Sequence, residues 1–83
     1  MMTASVLAKR AGVPLFTVRY YTRIGLLKPS RDLRNGYRVY KQSDKDRLNF
    51  IAAAKDLGFT LSEISKITLK YDRKADKTSA VTE

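Results

Sequence analysis

The chain of 83 residues contains no cysteine, no histidine and no tryptophan. Without cysteine there is neither a disulfide framework nor a thiolate metal site. Without histidine, the common zinc ligand sets and the usual general base at neutral pH are missing too. A glycine-rich phosphate loop is also absent, and the start of a helix explains the paired acids Asp44 and Asp46. The composition therefore predicts a protein that is not an enzyme, with no catalytic residues, metal or cofactor.

Long apolar runs are absent as well. No segment approaches the roughly 20 residues that a helix needs to cross a bilayer. The N-terminus lacks the apolar core of a signal peptide. We therefore expect a cytoplasmic protein with no membrane partner. At this length it should form one small domain, and its 43% hydrophobic residues suffice for a compact core.

Acidic residues are scarce in the first half of the chain. Residues 1–41 contain nine lysines and arginines but a single acid, Asp32, whereas residues 42–83 contain eight basic and seven acidic residues. Almost all of the formal net charge of +9 therefore lies in the first half. A one-sided basic region is the electrostatic footprint of a protein that binds a polyanion. A merely solvated basic surface is the alternative interpretation.

Two short helices joined by a tight turn are predicted within the basic half. The first helix begins at Ser5, a good N-cap residue, and Gly12 closes it. The second helix covers about residues 15–24 and stops at a glycine. Ala8 and Val18 are expected to face each other where the two helices cross. Such a pair, with a second helix rich in arginine and tyrosine, is typical of a DNA-reading helix-turn-helix.

The second helix carries side chains that suit the major groove of DNA. Arg19 and Arg23 are four residues apart and share a face, and arginine binds base edges in that groove bidentately. Thr17 and Tyr20 offer hydroxyl groups to phosphates or bases. Of the two adjacent tyrosines, we expect Tyr21 to be the more buried. Core packing is the alternative interpretation for each tyrosine.

A hairpin tip is predicted next, because Asn-Gly between extended segments is the strongest short hairpin signal. Its first strand lies near residues 30–33, and the two strands would form a wing. We expect this tip to contact DNA phosphates, which positions a protein without reading sequence. A plain polar hairpin tip is the alternative. The predicted wing contacts are Arg34, Asn35, Gly36, Tyr37 and Arg38.

A second helix pair is predicted after the wing. Ser43 is the expected N-cap of the third helix, and two apolar rows predict its burial over a broad face. Those rows are Leu48, Ile51 and Ala52, and Phe50, Ala54 and Leu57. Residues 60–63 match a capping box, so the fourth helix should run from Leu61 to about Leu69. The polar residues beyond it are interpreted as a tail, a linker or the beginning of another element.

Four segments resemble, in order and spacing, the DNA-binding domain of MerR-type transcription regulators. They are Val18-Arg19-Tyr20-Tyr21, Gly25-Leu26-Leu27, Asn35-Gly36-Tyr37-Arg38-Val39-Tyr40, and Leu57-Gly58-Phe59 before Glu63-Ile64. The resemblance covers residues 4–69 and implies a mostly α fold, a winged helix-turn-helix with two short helices, a two-stranded wing and a second helix pair. Residues 70–83 would then be a polar tail or the start of a truncated dimerisation helix.

The resemblance implies a transcriptional regulator that binds a pseudo-palindromic promoter site in double-stranded DNA, at the bacterial nucleoid. Family members usually bind as dimers, and many twist an overlong promoter spacer so that RNA polymerase can use it. We therefore expect a homodimer, formed through a helix that is incomplete in this chain, and RNA polymerase as a further partner. By position, Arg19 and Tyr20 match DNA contacts of the second helix. The residues that match the wing are Arg34, Gly36, Tyr37 and Arg38.

The sequence departs from the family pattern at several places, which include Ala4 in place of a larger apolar residue, and two of them bear on function. Thr22 replaces an acid that is common after the second aromatic residue of the second helix, and residues 78–80 read Thr-Ser-Ala where metal-sensing members carry a cysteine. The second departure argues against a divalent-metal sensor. Two alternatives stay open: an excisionase-like DNA-bending factor and a basic protein-interaction module. RNA is disfavoured, because its deep, narrow major groove excludes a reading helix.

Overall fold

The computed structural model describes the backbone of residues 1–81 and the side chains of residues 1–72. The elements are α1 (Ala4–Ala11), α2 (Leu15–Arg23), β1 (Ser30–Arg31), β2 (Arg38–Val39), α3 (Gln42–Asp56) and α4 (Leu61–Val81). This confirms the mostly α, winged helix-turn-helix fold, in which β1 and β2 form an antiparallel wing. The chain divides into two compact units, Met1–Ala52 and Ala53–Glu83. Within the described part, no helix has both the length and the apolar character of a membrane span.

The start of α1 differs from the prediction. Thr3 is the N-cap, and its Oγ1 accepts a hydrogen bond from the Val6 N–H at 3.3 Å. Ser5, the predicted cap, lies inside the first turn, because a threonine two residues earlier already supplies the acceptor. The end of the helix is confirmed. Gly12 adopts the left-handed conformation with φ +70°, which an L side chain rarely tolerates.

The contact between α1 and α2 decides which side of α2 is hidden. Leu7 and Ala8 of α1 and Val18 and Tyr21 of α2 are buried, and the two helices contact each other. Ala8 and Val18 were predicted to face each other where the helices cross, and the burial of both residues is consistent with that prediction. α2 ends at Arg23, one residue earlier than predicted.

A buried carboxylate holds the two ends of the wing. Asp44 Oδ2 accepts from the Lys41 N–H at 2.9 Å, and its Oδ1 accepts from the Lys28 N–H at 3.4 Å. Lys28 lies two residues before β1, and Lys41 lies two residues after β2. One side chain therefore joins both ends of the wing to the first turn of α3. The prediction that Ser43 caps α3 was wrong, because the helix already includes Gln42 and Asp44 reaches back to the preceding backbone.

Tyr40 links the end of β2 to α2. The residue is fully buried, and its backbone pairs with that of Met2 in an antiparallel bridge. Its hydroxyl oxygen lies 2.8 Å from Thr22 Oγ1. Because the Thr22 hydroxyl donates its own proton to the Val18 carbonyl at 2.7 Å, the Tyr40 hydroxyl is the donor to Thr22. We call the residues that flank the two strands, Lys28, Tyr40 and Lys41, the stem of the wing. The bond from Tyr40 attaches this stem to the last turn of α2.

α3 buries a narrower face than predicted. Its buried apolar residues are Leu48, Ile51 and Ala54, whereas Phe50, Ala52 and Leu57 are exposed. Together with Asp44, these three residues form one buried stripe along the helix, with successive spacings of four, three and three residues. Phe50 and Ala52 fall on other sides of the helix, and Leu57 lies one residue beyond its end. Apolar character alone did not distinguish the two sides, so the prediction was wrong for all three exposed positions.

The start of α4 is confirmed as a capping box. The Thr60 N–H donates to Glu63 Oε1 at 2.9 Å, and the Glu63 N–H donates to Thr60 Oγ1 at 3.1 Å. The predicted end near Leu69 was wrong, because α4 continues to Val81. No glycine or proline follows Gly58 to stop it. Residues 70–83 were expected to be a polar tail or the start of a truncated dimerisation helix. Their side chains are described only up to Asp72, and residues 82–83 lie outside the described backbone.

We expect Asp44→Ala to lower the free energy of unfolding by about 1–3 kcal/mol, because two backbone N–H groups lose their acceptor. Asp46→Ala is the matched control. Its exposed carboxylate accepts from the Gln42 side chain at 3.1 Å, and its loss should cost at most about 0.5 kcal/mol. Urea denaturation monitored by circular dichroism measures both variants. Equal losses would show that the Asp44 bonds contribute nothing specific.

We expect Tyr40→Phe and Thr22→Val each to destabilise the fold by about 1 kcal/mol, since each removes one partner of a partly buried hydrogen bond. In the double variant the two losses should fall short of additivity by about 0.5–1.5 kcal/mol. Tyr37→Phe, at a tyrosine that is 72% exposed, controls for hydroxyl removal and should change little. Strict additivity in a thermal or urea double-mutant cycle would disprove the coupling.

Candidate nucleic-acid interface

One side of α2 faces solvent. Because Val18 and Tyr21 are buried, the residues roughly opposite them on the helix point outward. These exposed residues are Phe16, Arg19, Tyr20 and Arg23, and we call them the outer face of α2. Their spacing of three, one and three residues places them on a single face of a 3.6-residue helix. The outer face therefore presents two cations and two aromatic rings on one rigid element.

Three of the four residues predicted on this helix lie together on the outer face. Arg23 places its guanidinium carbon 5.5 Å from the centre of the Tyr20 ring, a geometry that permits a cation–π attraction. The fourth, Thr17, is only half-exposed and lies at the flank. The prediction for the adjacent tyrosines is confirmed, because Tyr21 is 7% exposed and Tyr20 is 41% exposed.

Phe16 was not predicted to be part of this surface. It is 73% exposed and is the second residue of α2. The signal that identifies it is positional. Phe16 precedes Arg19 by three residues, Tyr20 by four and Arg23 by seven, which are the spacings of one helix face. Its apolar character obscured that signal, because an apolar residue beside Val18 suggests core packing.

The wing closes through a loop of six residues, 32–37, between strands of two residues each. β1 is shorter than the predicted 30–33. Gly36, with φ +74°, donates its N–H to the Asp32 carbonyl at 2.7 Å. Asn35 Oδ1 accepts from the Tyr37 N–H at 2.9 Å. The side-chain oxygen of Asn35 therefore shapes the loop, which leaves its amide group to act as a donor.

Two arginines of the wing are oriented by the loop itself. Arg34 lies against Asp32, with 3.3 Å between Nη2 and Oδ2, and its backbone N–H donates to Asp32 Oδ1 at 2.8 Å. Arg31 donates from Nη1 to the Gly36 carbonyl at 2.7 Å. Residue identity does not predict this second contact, because its acceptor is a backbone carbonyl five residues away.

All five predicted wing residues lie on the exposed tip or the strand that follows it. In the described part of the chain, Arg38 makes no side-chain hydrogen bond or ion pair, so its full charge faces solvent. Asp32, the one acid of residues 1–41, is already paired with Arg34. The outer face of α2 and the wing are consequently both cationic, and each offers the donors that phosphates and base edges accept. That each residue contacts DNA stays a prediction.

The described residues contain no group of three or more histidine, cysteine, aspartate or glutamate side chains placed to hold a metal ion. The acids of the first compact unit make hydrogen bonds within the protein. Asp32 and Asp44 organise the wing through the hydrogen bonds above, and Asp46 accepts from Gln42.

The side-chain hydrogen bond from Arg34, aided by its backbone N–H, lowers the pKa of Asp32 below the ordinary 3.8. A carboxyl whose pKa is depressed by folding stabilises the folded loop above its unfolded pKa. That contribution is lost as the pH falls through the lower, folded pKa. We expect a carbon-detected NMR titration to place Asp32 below 3.8, and Arg34→Ala to raise that pKa. Arg23→Ala should leave it unchanged. A wild-type pKa at or above the ordinary value would contradict the pairing.

Residues 2–70 match the family model described as MerR HTH family regulatory protein. A curated relative, the mercuric resistance operon regulatory protein of Bacillus cereus, is 46% identical over 67 residues. That alignment covers 81% of this chain and 51% of the relative. The chain thus spans about half the length of this relative.

Solved structures show the same fold. The transcription regulator PbrR691 from Ralstonia metallidurans CH34, in complex with lead(II), superposes with a TM-score of 0.79 at 29% identity, over 99% of this chain and 66% of that one. EcmrR, in its cryo-EM complex with DNA, superposes with a TM-score of 0.71 at 26% identity, over 98% of this chain and 33% of that one. Since the family model covers most of the sequence, this chain belongs to the MerR family of helix-turn-helix regulatory proteins.

Proposed function

We propose that the chain binds double-stranded DNA and acts as a sequence-specific transcriptional regulator at promoters. The observation that carries this proposal is the outer face of α2. Two arginines and a tyrosine stand on one exposed side of a short helix whose opposite side is fixed by burial. A helix of this kind, in a part of the chain with nine basic residues and one acid, is suited to a groove lined with acceptors and phosphates.

The dimensions of α2 suit the major groove. An α-helix with its side chains is about 10–12 Å in diameter, and the groove is about 12 Å wide. In helix-turn-helix complexes the N-terminal residues of the second helix contact base edges. Arg19, in the middle of α2, is placed to read a guanine through its O6 and N7 acceptors. Nothing in the described structure competes for its guanidinium.

Tyr20 and Arg23 would act as a pair. The ring beneath the Arg23 guanidinium restricts where that cation can lie, so less rotamer freedom is lost when it meets a phosphate. The Tyr20 hydroxyl is free to donate to a neighbouring phosphate. Thr17, at the flank of the helix, would reach the sugar–phosphate backbone rather than a base. These assignments divide the helix into one reading position and three anchoring positions.

The wing would hold the DNA backbone. Arg38 and Tyr37 are exposed and would contact phosphate and sugar, while the Asn35 amide and the Gly36 backbone approach the same strand. Arg34 would exchange part of its contact with Asp32 for a phosphate, because an exposed ion pair of this kind is weak. Such contacts fix the register of the protein on the duplex and carry little sequence information.

The names of similar proteins support this function. One is an operon regulatory protein, and another, EcmrR, was solved in complex with DNA. By the same analogy we propose a homodimer on a pseudo-palindromic promoter site, with RNA polymerase as a further partner, in the bacterial cytoplasm at the nucleoid. A regulator of this kind needs no catalytic residue, and we propose no enzymatic activity for the chain.

Selection of random duplex DNA on the protein, with sequencing of the bound fraction, tests the proposal. Arg19→Ala should weaken binding to the selected site by about 1–3 kcal/mol and relax one base position, while binding to unrelated DNA changes much less. Arg38→Ala should weaken both kinds of binding similarly and reduce the slope of log K against log salt by about one unit.

Lys66→Ala is the control for charge alone, because it removes one exposed cation from α4. It should leave the selected sequence and the affinity nearly unchanged. Equal losses at Arg19 and Arg38 on every sequence would refute the reading role of α2. Recovery of no motif, with binding that disappears at moderate salt, would leave only electrostatic attraction and favour the protein-interaction module.

A further inference from the structure

We propose that Phe16 recognises the C5-methyl group of a thymine and so sets part of the sequence preference of α2. This inference rests on the proposed DNA-binding function and extends it to a residue outside the polar contact set. Phe16 is 73% exposed although it is among the largest apolar side chains of the chain. Because Val18 and Tyr21 fill the inner side of α2, Phe16 has no place in the core.

The position of Phe16 on the helix directs it to the bases. It is the second residue of α2, and the N-terminal end of a recognition helix lies deepest among the base edges. It shares the outer face with Arg19 and Arg23. From Phe16 to Arg23 the helix rises about 10 Å, which equals the rise of about three base pairs. A side chain at this end is therefore presented to a base close to the one that Arg19 reads.

The chemistry of the ring leaves few groups for it to recognise. Phenylalanine has neither donor nor acceptor, so it gains nothing from the N7, O6, N6 or N4 groups of the major groove. The one apolar group on a base edge there is the thymine methyl. A phenyl ring against that methyl removes apolar surface of both partners from water. A cytosine at the same position lacks the methyl, so the contact would discriminate between the two pyrimidines.

The arrangement predicts a particular feature of the binding site. Each half-site should contain a thymine within about three base pairs of the guanine read by Arg19. The contribution of that thymine to the contact with Phe16 should come from its methyl group alone. Replacing that thymine by deoxyuridine preserves all the hydrogen-bonding groups of the base and deletes only the methyl, which makes it the sharpest available probe.

The test starts from the site recovered with the full 83-residue chain from random duplex DNA. Each thymine of that site is replaced singly by deoxyuridine, and the dissociation constant is measured for the wild type and for Phe16→Ala. For the wild type, one thymine per half-site should show a loss of about threefold to fivefold, the effect of one methyl group. For Phe16→Ala the same replacement should have no effect.

Two further variants serve as controls. Phe50→Ala removes a 43% exposed phenylalanine from α3 and should keep the wild-type response to deoxyuridine. Phe16→Leu keeps an apolar side chain and should retain part of it. Because Phe16 is exposed, its replacement should leave the circular dichroism spectrum and the unfolding midpoint unchanged, which separates a lost contact from a lost fold.

The two proposals fail in different ways. A recovered motif that depends on Arg19, but in which no thymine methyl couples to Phe16, would overturn the inference and leave the proposed function standing. A loss for Phe16→Ala that is the same on thymine and deoxyuridine duplexes would also overturn it. Failure to recover any motif with the wild type would overturn both.

Discussion

Hydrogen bonds at the stem of the wing are the constraint on which the proposed DNA-binding surface depends. A hairpin with two residues per strand has marginal stability of its own. Asp44 accepts from backbone groups on both sides of it, and the Tyr40 hydroxyl ties its second strand to Thr22 of α2. Both side chains are buried, where an unpaired polar group is costly. The ends of the wing are therefore fixed to the first turn of α3 and to the last turn of α2.

The same hydrogen bonds help to explain how a small domain stays folded although its first half is strongly cationic. Nine basic residues and one acid lie in residues 1–41, and their mutual repulsion opposes a compact fold. The opposing contributions include apolar burial between α1 and α2 and the backbone bonds to Asp44, none of which uses the charged group of an exposed cation. The arginines that face solvent are thus available to a polyanion, and the residues that stabilise the fold are largely separate from those that would bind.

Short local contacts restrict several side chains of the proposed DNA-binding surface. The Tyr20 ring lies under the Arg23 guanidinium, Asp32 holds Arg34, and the Gly36 carbonyl holds Arg31. A long, flexible side chain that is already restricted would lose less entropy on binding DNA. Thr22, which stands where many family members carry an acid, adds no negative charge to α2, and its hydroxyl instead receives the bond from Tyr40. Thr22 thereby leaves the helix basic and also helps to attach it to the wing.

Elements with local signals can be predicted from the order of the residues. Gly12 ends α1, the Asn35–Gly36 pair marks the hairpin, and residues 60–63 form a capping box. The basic half follows from the charges, and the family follows from the order of the motifs. The folded structure is needed to tell which apolar residues face inward. Phe50 and Phe16 are exposed while the less conspicuous Ala54 is buried, because burial depends on what packs against each side of a helix. The roles of Asp44, Tyr40 and Thr22 at the ends of the wing are also visible only in the folded structure. Their hydrogen-bond partners are distant in sequence or are backbone atoms, which residue identity does not reveal.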